Sequence, residues 1–192
     1  MSDCIHIFLI GPSASGKTTL QEELETRGFE RIISYTTRPP REGEQDGVDY
    51  HFITDREFTD AFVGRELAAV RSYHTVFGVW RYAFAWSDLN RAVNSCAVID
   101  PKGYSEIYNE VSNPFGIYMD IPADVRKARL LMRGDHPSEI DRRLEADAED
   151  FADFDLLYKD VCQLRIGQIR PPAIEADRIE SYIHRYRQEN FS

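Results

Sequence analysis

Gly11-Pro12-Ser13-Ala14-Ser15-Gly16-Lys17-Thr18 satisfies the pattern G-x4-G-K-[ST], and it follows directly on the apolar run Ile5-His6-Ile7-Phe8-Leu9-Ile10. Such a run, ended by Gly-Pro, reads as a strand buried on both faces. Beyond the loop, Leu20 and Leu24 recur four apart, so Thr18 to Glu25 reads as a helix. Strand, glycine-rich turn and helix in this order give the pattern a mechanism. The glycines let backbone N–H groups approach phosphate, and the helix start adds partial positive charge. Lys17 then bridges terminal phosphates and the Thr18 hydroxyl is offered to Mg2+. The expected contacts of a nucleoside triphosphate, the substrate class that GTPases, ATPases and kinases share, are Gly11, Pro12, Ser13, Ala14, Ser15, Gly16, Lys17, Thr18 and Thr19.

Outward from this loop, Cys96-Ala97-Val98-Ile99-Asp100 and Phe115 to Ile121 are two more short apolar runs, each closed by a proline. Strands separated by helical stretches predict an α/β fold: a P-loop NTPase three-layer core around a parallel sheet. Asp100, at the end of its run, is the expected Mg2+ partner of Thr18 through a metal-bound water; its alternative use is to start the turn at Pro101. Tyr50 to Ile53, Leu67 to Tyr73 and Val76 to Phe84 are aromatic-rich and extended, the last two close enough for a hairpin. Ser34 to about Trp86 therefore reads as a β-rich insert with little helix. Between Ala123 and Ala152, apolar residues fall at helical spacing as Val125, Ala128 and Met132, then Ile140, Leu144, Ala148 and Phe151. The break at Gly134-Asp135-His136-Pro137 makes this a helix-turn-helix. Glu175 to Gln188 is a final helix whose stripe of Ile179, Tyr182, Ile183 and Tyr186 is expected to pack on the core.

The 192 residues suit one domain, and the 42% apolar and 29% charged residues are ordinary for a folded chain. A formal net charge of -10 repels phosphate backbones, so nucleic acid is not an expected partner. Cys4, Cys96 and Cys162 are odd in number and far apart, which fits a reducing cytoplasm better than a disulfide framework. The longest apolar stretch is far too short to span a bilayer, so no membrane association is expected. Oligomeric state is not legible. Of the 23 basic residues 19 are arginine, the side chain suited to bidentate grips on phosphate.

Two of those arginines sit in Ser34-Tyr35-Thr36-Thr37-Arg38-Pro39-Pro40-Arg41-Glu42-Gly43-Glu44-Gln45-Asp46-Gly47-Val48-Asp49-Tyr50-His51-Phe52. Arginines three apart, held by prolines and followed by a tyrosine, are suited to grip one phosphate from several directions, as a monophosphate acceptor requires. The alternative is that Arg38 and Arg41 merely pair with Glu42, Glu44 or Asp46. This stretch, behind a phosphate loop, strongly resembles the guanylate kinase family over roughly residues 5 to 155. The resemblance implies that Arg38, Arg41 and Tyr50 hold the acceptor phosphate and Ser34 contacts the base. It also implies that Arg133 and Arg143, in Arg126 to Asp135 and Glu139 to Leu144, reach over the ATP phosphates from a helical lid. One domain would then comprise a core of about 4–33, 96–125 and 152–192, a nucleoside-monophosphate insert of about 34–95 and a lid of about 126–151.

The chain also departs from the family. Alignment through Phe52, Glu57-Phe58 and Glu66-Leu67 puts Ala69 where the family has a guanine-reading Glu, and Phe77-Gly78-Val79 where it has Tyr-Gly-Ser. The Asn-containing strand after the lid is not recognisable near Tyr158-Lys159-Asp160. Arg71, Tyr73, His74, Trp80, Arg81 and Tyr82 are available to rebuild a base pocket. The expected activity is transfer of the ATP γ-phosphate to GMP or dGMP, both small-molecule nucleotides. The rivals are a kinase of another phosphorylated acceptor and a guanylate-kinase-like binding module, which a damaged phosphate loop would mark. Lys17→Ala or Arg41→Ala is expected to lower turnover by orders of magnitude with the fold intact; near-normal turnover in either would contradict the assignment.

Overall fold

A computed structural model describes residues 4–75 and 78–190. In chain order the first elements are β1 (His6–Ile10), α1 (Lys17–Thr26), β2 (Glu30–Arg31), β3 (Tyr35–Thr36), β4 (His51–Phe52) and α2 (Asp55–Val63). Then come β5 (Leu67–Thr75), β6 (Gly78–Ala85), α3 (Trp86–Leu89), β7 (Ser95–Val98) and α4 (Pro101–Ile107). The chain finishes with β8 (Pro114–Met119), α5 (Ala123–Met132), α6 (Pro137–Asp150), α7 (Phe154–Leu157), β9 (Cys162–Ile166) and α8 (Pro172–Asn190).

The central sheet has the order β2-β7-β1-β8-β9, with every pairing parallel. All residues of β1 are buried, as a strand covered on both faces must be. Its side chains alternate between two cores. Ile5, Ile7 and Leu9 join Leu20 and Leu24 of α1 and Ile179 and Ile183 of α8 on one side. Phe8 and Ile10 join Leu89 of α3, Tyr104 and Ile107 of α4 and Phe154 of α7 on the other. This is the three-layer arrangement expected from the sequence. His6, inside the strand, is accommodated by a 2.6 Å bond between Nδ1 and the Ser95 hydroxyl, and burial lowers its pKa.

A second sheet, β4-β3-β6-β5, carries the insert. Its β5–β6 hairpin is antiparallel, with a register shift between Ala68 and Arg71 where Ala69 takes a positive φ of 50°. Insert and core meet where α4 packs against β5.

Three sequence expectations need correction. The insert contains a helix, α2, whose start is a full capping box between Thr54 and Glu57. Only Phe58 of α2 is buried, so it has no apolar period to read. The periodicity assigned to α5 is one residue out: Arg126 and Leu130 are its buried positions, Val125 is half-buried, and Met132 is exposed. A buried arginine is invisible to a hydrophobic pattern. In α6 the buried positions are Ile140 and Asp147, while Ala148, assigned to the apolar face, is exposed.

Candidate active site

The phosphate loop links β1 to α1, and its shape follows from two contacts. At Gly11 a Cβ would lie 2.8 Å from the Met119 carbonyl oxygen and 2.9 Å from Ser15 Oγ, so no side chain fits. At Gly16, which caps α1, φ is 102°, in the left-handed region that favours glycine. The Lys17 ammonium donates to the carbonyls of Gly11 at 2.6 Å and Pro12 at 2.8 Å, curling over the loop. Burial pushes its pKa down to about 8, with nearby Asp147 raising it and Arg126 lowering it. Ser15 Oγ is buried with no hydrogen-bond partner. An orphaned hydroxyl inside a glycine-shaped cradle at a helix start fits a phosphate group. Thr18 and Thr19 are exposed at the head of α1.

Two cavities flank this loop. One, of about 480 Å3, is lined by Gly16 to Leu20, Arg129, Arg133 and the segment from Gln168 to Arg170. The other, of about 460 Å3, is lined by Ser34, Arg38, Arg41, Tyr50, Asp100 and Arg143, with Ala69, Arg71, Tyr73 and Tyr82. Lys17 lines both. All four expected acceptor residues thus share one cavity, and the two expected lid arginines divide between the cavities on either side of Lys17.

Within the second cavity Arg38 is 3% exposed, and its two terminal nitrogens each donate to Glu44 at 2.8 Å. Its guanidinium lies over the Tyr50 and Phe52 rings, 5.2 and 5.6 Å from their centroids. Glu44 also accepts from the Arg41 N–H at 2.7 Å, and the bonds from Arg38 hold its carboxyl below the usual range. The pairing with Glu44 that the sequence allowed is therefore real, but Arg38 is buried in the cavity wall rather than spread on a solvated loop. Burial raises the Tyr50 pKa and pushes that of Tyr73 up to about 12.

Asp100 caps α4: its Oδ1 accepts from the Gly103 N–H at 2.8 Å and from Arg71 Nε at 3.0 Å. Both of those bonds fall on Oδ1. Arg133 pairs with Asp135, and Arg143 with Glu139 at 2.7 Å and Asp135 at 3.5 Å. Of the aromatic and basic residues of the hairpin, Arg71, Tyr73 and Tyr82 reach the second cavity. Arg81 instead binds Asp55 and covers Phe58. Val79 is exposed, and Phe77 lies outside the described residues.

Four residues of the site escaped the sequence reading in these roles. Arg129 donates to the carbonyls of Ala14 and Ser15 at 2.9 and 3.0 Å. Arg126 and Asp147 form a buried ion pair against Ser13. Glu44 orients Arg38. Charged residues packing on loop backbone leave no periodic trace in a sequence.

A phosphate loop whose lysine is shared by two arginine-walled cavities, on a parallel three-layer core, defines a nucleotide phosphotransferase of the P-loop class. The sequence model of the guanylate kinase family matches residues 5–160. Guanylate kinase of Neisseria gonorrhoeae is 35% identical over 150 residues, covering 72% of this chain and 69% of that protein. Guanylate kinase of Koribacter versatilis is 32% identical over 197 residues, covering 96% and 84%. The crystal structure of guanylate kinase from Anaplasma phagocytophilum superposes with a TM-score of 0.63 at 22% identity, covering 95% of this chain and 86% of that one. The chain belongs to the guanylate kinase family.

Because Glu44 holds Arg38 from two directions, Glu44→Ala is expected to raise the acceptor KM about tenfold or more, with a smaller effect on kcat. Steady-state kinetics against acceptor concentration check this; an unchanged acceptor KM would mean that the aromatic rings and the Pro39 carbonyl suffice to orient Arg38.

Proposed function

We propose that this chain transfers the γ-phosphate of ATP to GMP or dGMP, yielding the nucleoside diphosphate. The observation that carries the reading is the position of Lys17 in the walls of both cavities, one for each nucleotide. Family membership supports the same conclusion, and the rival readings, a kinase of an unrelated acceptor and a non-catalytic module, are not favoured by the relatives the chain resembles. The phosphate loop is undamaged.

The chemistry asks little of proton transfer, because a monophosphate acceptor is already ionised and no general base is needed. The work is to bring two polyanions into line and to neutralise charge on the group in flight. Gly11 to Thr19 would cradle the ATP phosphates, with the Ser15 hydroxyl gaining its missing partner. Lys17 would turn from the Gly11 carbonyl to the transferred phosphate, while a second of its three N–H donors stays on the Pro12 carbonyl. Arg38, Arg41 and Tyr50 would hold the acceptor phosphate, Ser34 would contact the base, and Arg133 and Arg143 would exchange their acidic partners for ATP phosphates. Such an exchange is cheap for these exposed or half-exposed pairs, since each is worth only about 0–1 kcal/mol in water.

Mg2+ bound with ATP would neutralise phosphate charge and orient the chain of phosphates. The donors suit it: Thr18 presents a hydroxyl at the exposed head of α1, and Asp100 keeps Oδ2 clear of the two bonds made by Oδ1. Among the described residues no group of three or more His, Cys, Asp or Glu is placed to hold a metal alone, so the ion would rest on these two residues and on the nucleotide. No helix among the described residues is long and apolar enough to cross a membrane, in keeping with a proposed cytoplasmic setting.

Phosphorylation of a panel of ribo- and deoxyribonucleoside monophosphates by ATP tests the function. GMP or dGMP should exceed every other base in kcat/KM. Faster turnover of a different base would contradict the acceptor assignment, and no turnover of any monophosphate would contradict the reaction.

A further inference from the structure

Asp147 is a carboxylate buried on a helix that is otherwise largely open to solvent; the buried positions of α6 are Ile140 and Asp147. Removing a charge from water is costly unless it is paired and hydrogen-bonded. Here the compensation is complete. Both carboxylate oxygens lie 3.0 Å from the Ser13 N–H, Oδ1 also accepts from Ser13 Oγ at 3.1 Å, and Oδ2 meets Arg126 Nη1 at 2.7 Å. Arg126, itself 8% exposed, is tied to its own region by a bond from Nε to the Ile121 carbonyl at 3.1 Å. One ion pair thus joins α5, α6 and the phosphate loop.

Its reach extends further through the peptide group between Pro12 and Ser13. The N–H of that peptide donates to Asp147, and its carbonyl, on Pro12, accepts the Lys17 ammonium at 2.8 Å. A planar unit bonded at both ends is fixed in orientation, and each bond polarises the other. Asp147 and Lys17 therefore sit at opposite ends of one rigid group.

We propose that Asp147 is a positioning residue for phosphoryl transfer: from lid helix α6, paired with Arg126, it pins the Pro12–Ser13 peptide and so sets the place from which Lys17 meets the transferred phosphate. Asp147 lines the second cavity, but in this role its oxygens are engaged by Ser13 and Arg126. By fastening the lid helix to the loop it also keeps water from the transfer site, which limits loss of ATP to hydrolysis. The inference rests on the proposed reaction but not on the identity of the base.

The test uses the full chain and four variants. Asp147→Asn removes the charge and strands Arg126. Arg126→Met combined with Asp147→Leu replaces the ion pair by an apolar pair, a change that buried pairs often tolerate without loss of stability. Asp141→Asn, on the same helix and in an exposed pair with Lys127, is the control. For the double variant we expect a melting temperature close to the parent's, with kcat at least about tenfold lower and ATP affinity, from calorimetry, within about threefold. The ratio of acceptor-free ATP hydrolysis to transfer should rise about fivefold or more. Asp147→Asn should share these kinetic changes, Asp147→Glu should recover part of kcat, and Asp141→Asn should match the parent. If Asp147→Asn does not fold, the double variant decides. A stable double variant with parental kcat and a parental hydrolysis ratio would reduce the ion pair to packing and overturn the proposal. A parent protein inactive on GMP and dGMP would instead count against the acceptor, and the variants would then be compared on whichever monophosphate turns over.

Discussion

At Gly11 the phosphate loop leaves β1 so close to the Met119 carbonyl of β8 that no side chain can be placed there, and the rest of the site depends on that approach. The tight exit ends β1 and lets α1 begin at Lys17, whose side chain lines both cavities. It is affordable because β1 is buried on both faces and its alternate side chains are locked into two separate cores. A strand free to shift would lose the loop. The energy of the fold is thus spent on holding one turn still, and binding of phosphate is its consequence.

Charge follows the same geometry. The chain carries a net charge of -10, yet its cavities are walled by arginines, several of them held by carboxylates from their own neighbourhood. Glu44 orients Arg38, Asp100 and Glu106 orient Arg71, and Asp135 and Glu139 hold the lid arginines. Such pairs keep cationic side chains extended and ordered before substrate arrives. Those at the surface are weak enough to be traded for phosphate, while the buried Arg126–Asp147 pair is costly to break at one partner and so stays closed.

The core and the phosphate loop were legible because both leave marks that sequence preserves: a buried run, a glycine spacing, a lysine and a threonine in fixed order. That Arg38, Arg41 and Tyr50 line one cavity was legible for a similar reason, since they stand close together in one short stretch. What escaped was whatever depends on tertiary burial of polar groups. Arg126 displaced the apparent period of α5 by one residue, and Asp147 shares the buried face of α6 with Ile140. Helix α2 was missed because a capping box and one phenylalanine suffice to form it. The bulge at Ala69, which brings Arg71 against Asp100, follows from strand register rather than residue type.

The central claim is that Lys17 serves two nucleotides at once. Calorimetric titration with a bisubstrate ligand, adenosine and guanosine joined through five phosphates, tests it most directly. Filling both cavities through one linker should bind a single equivalent at least about a hundredfold more tightly than ATP or GMP alone, and Lys17→Ala should remove most of that gain. Affinity no better than that of ATP alone would contradict the account, because the two cavities would then not belong to one transfer site.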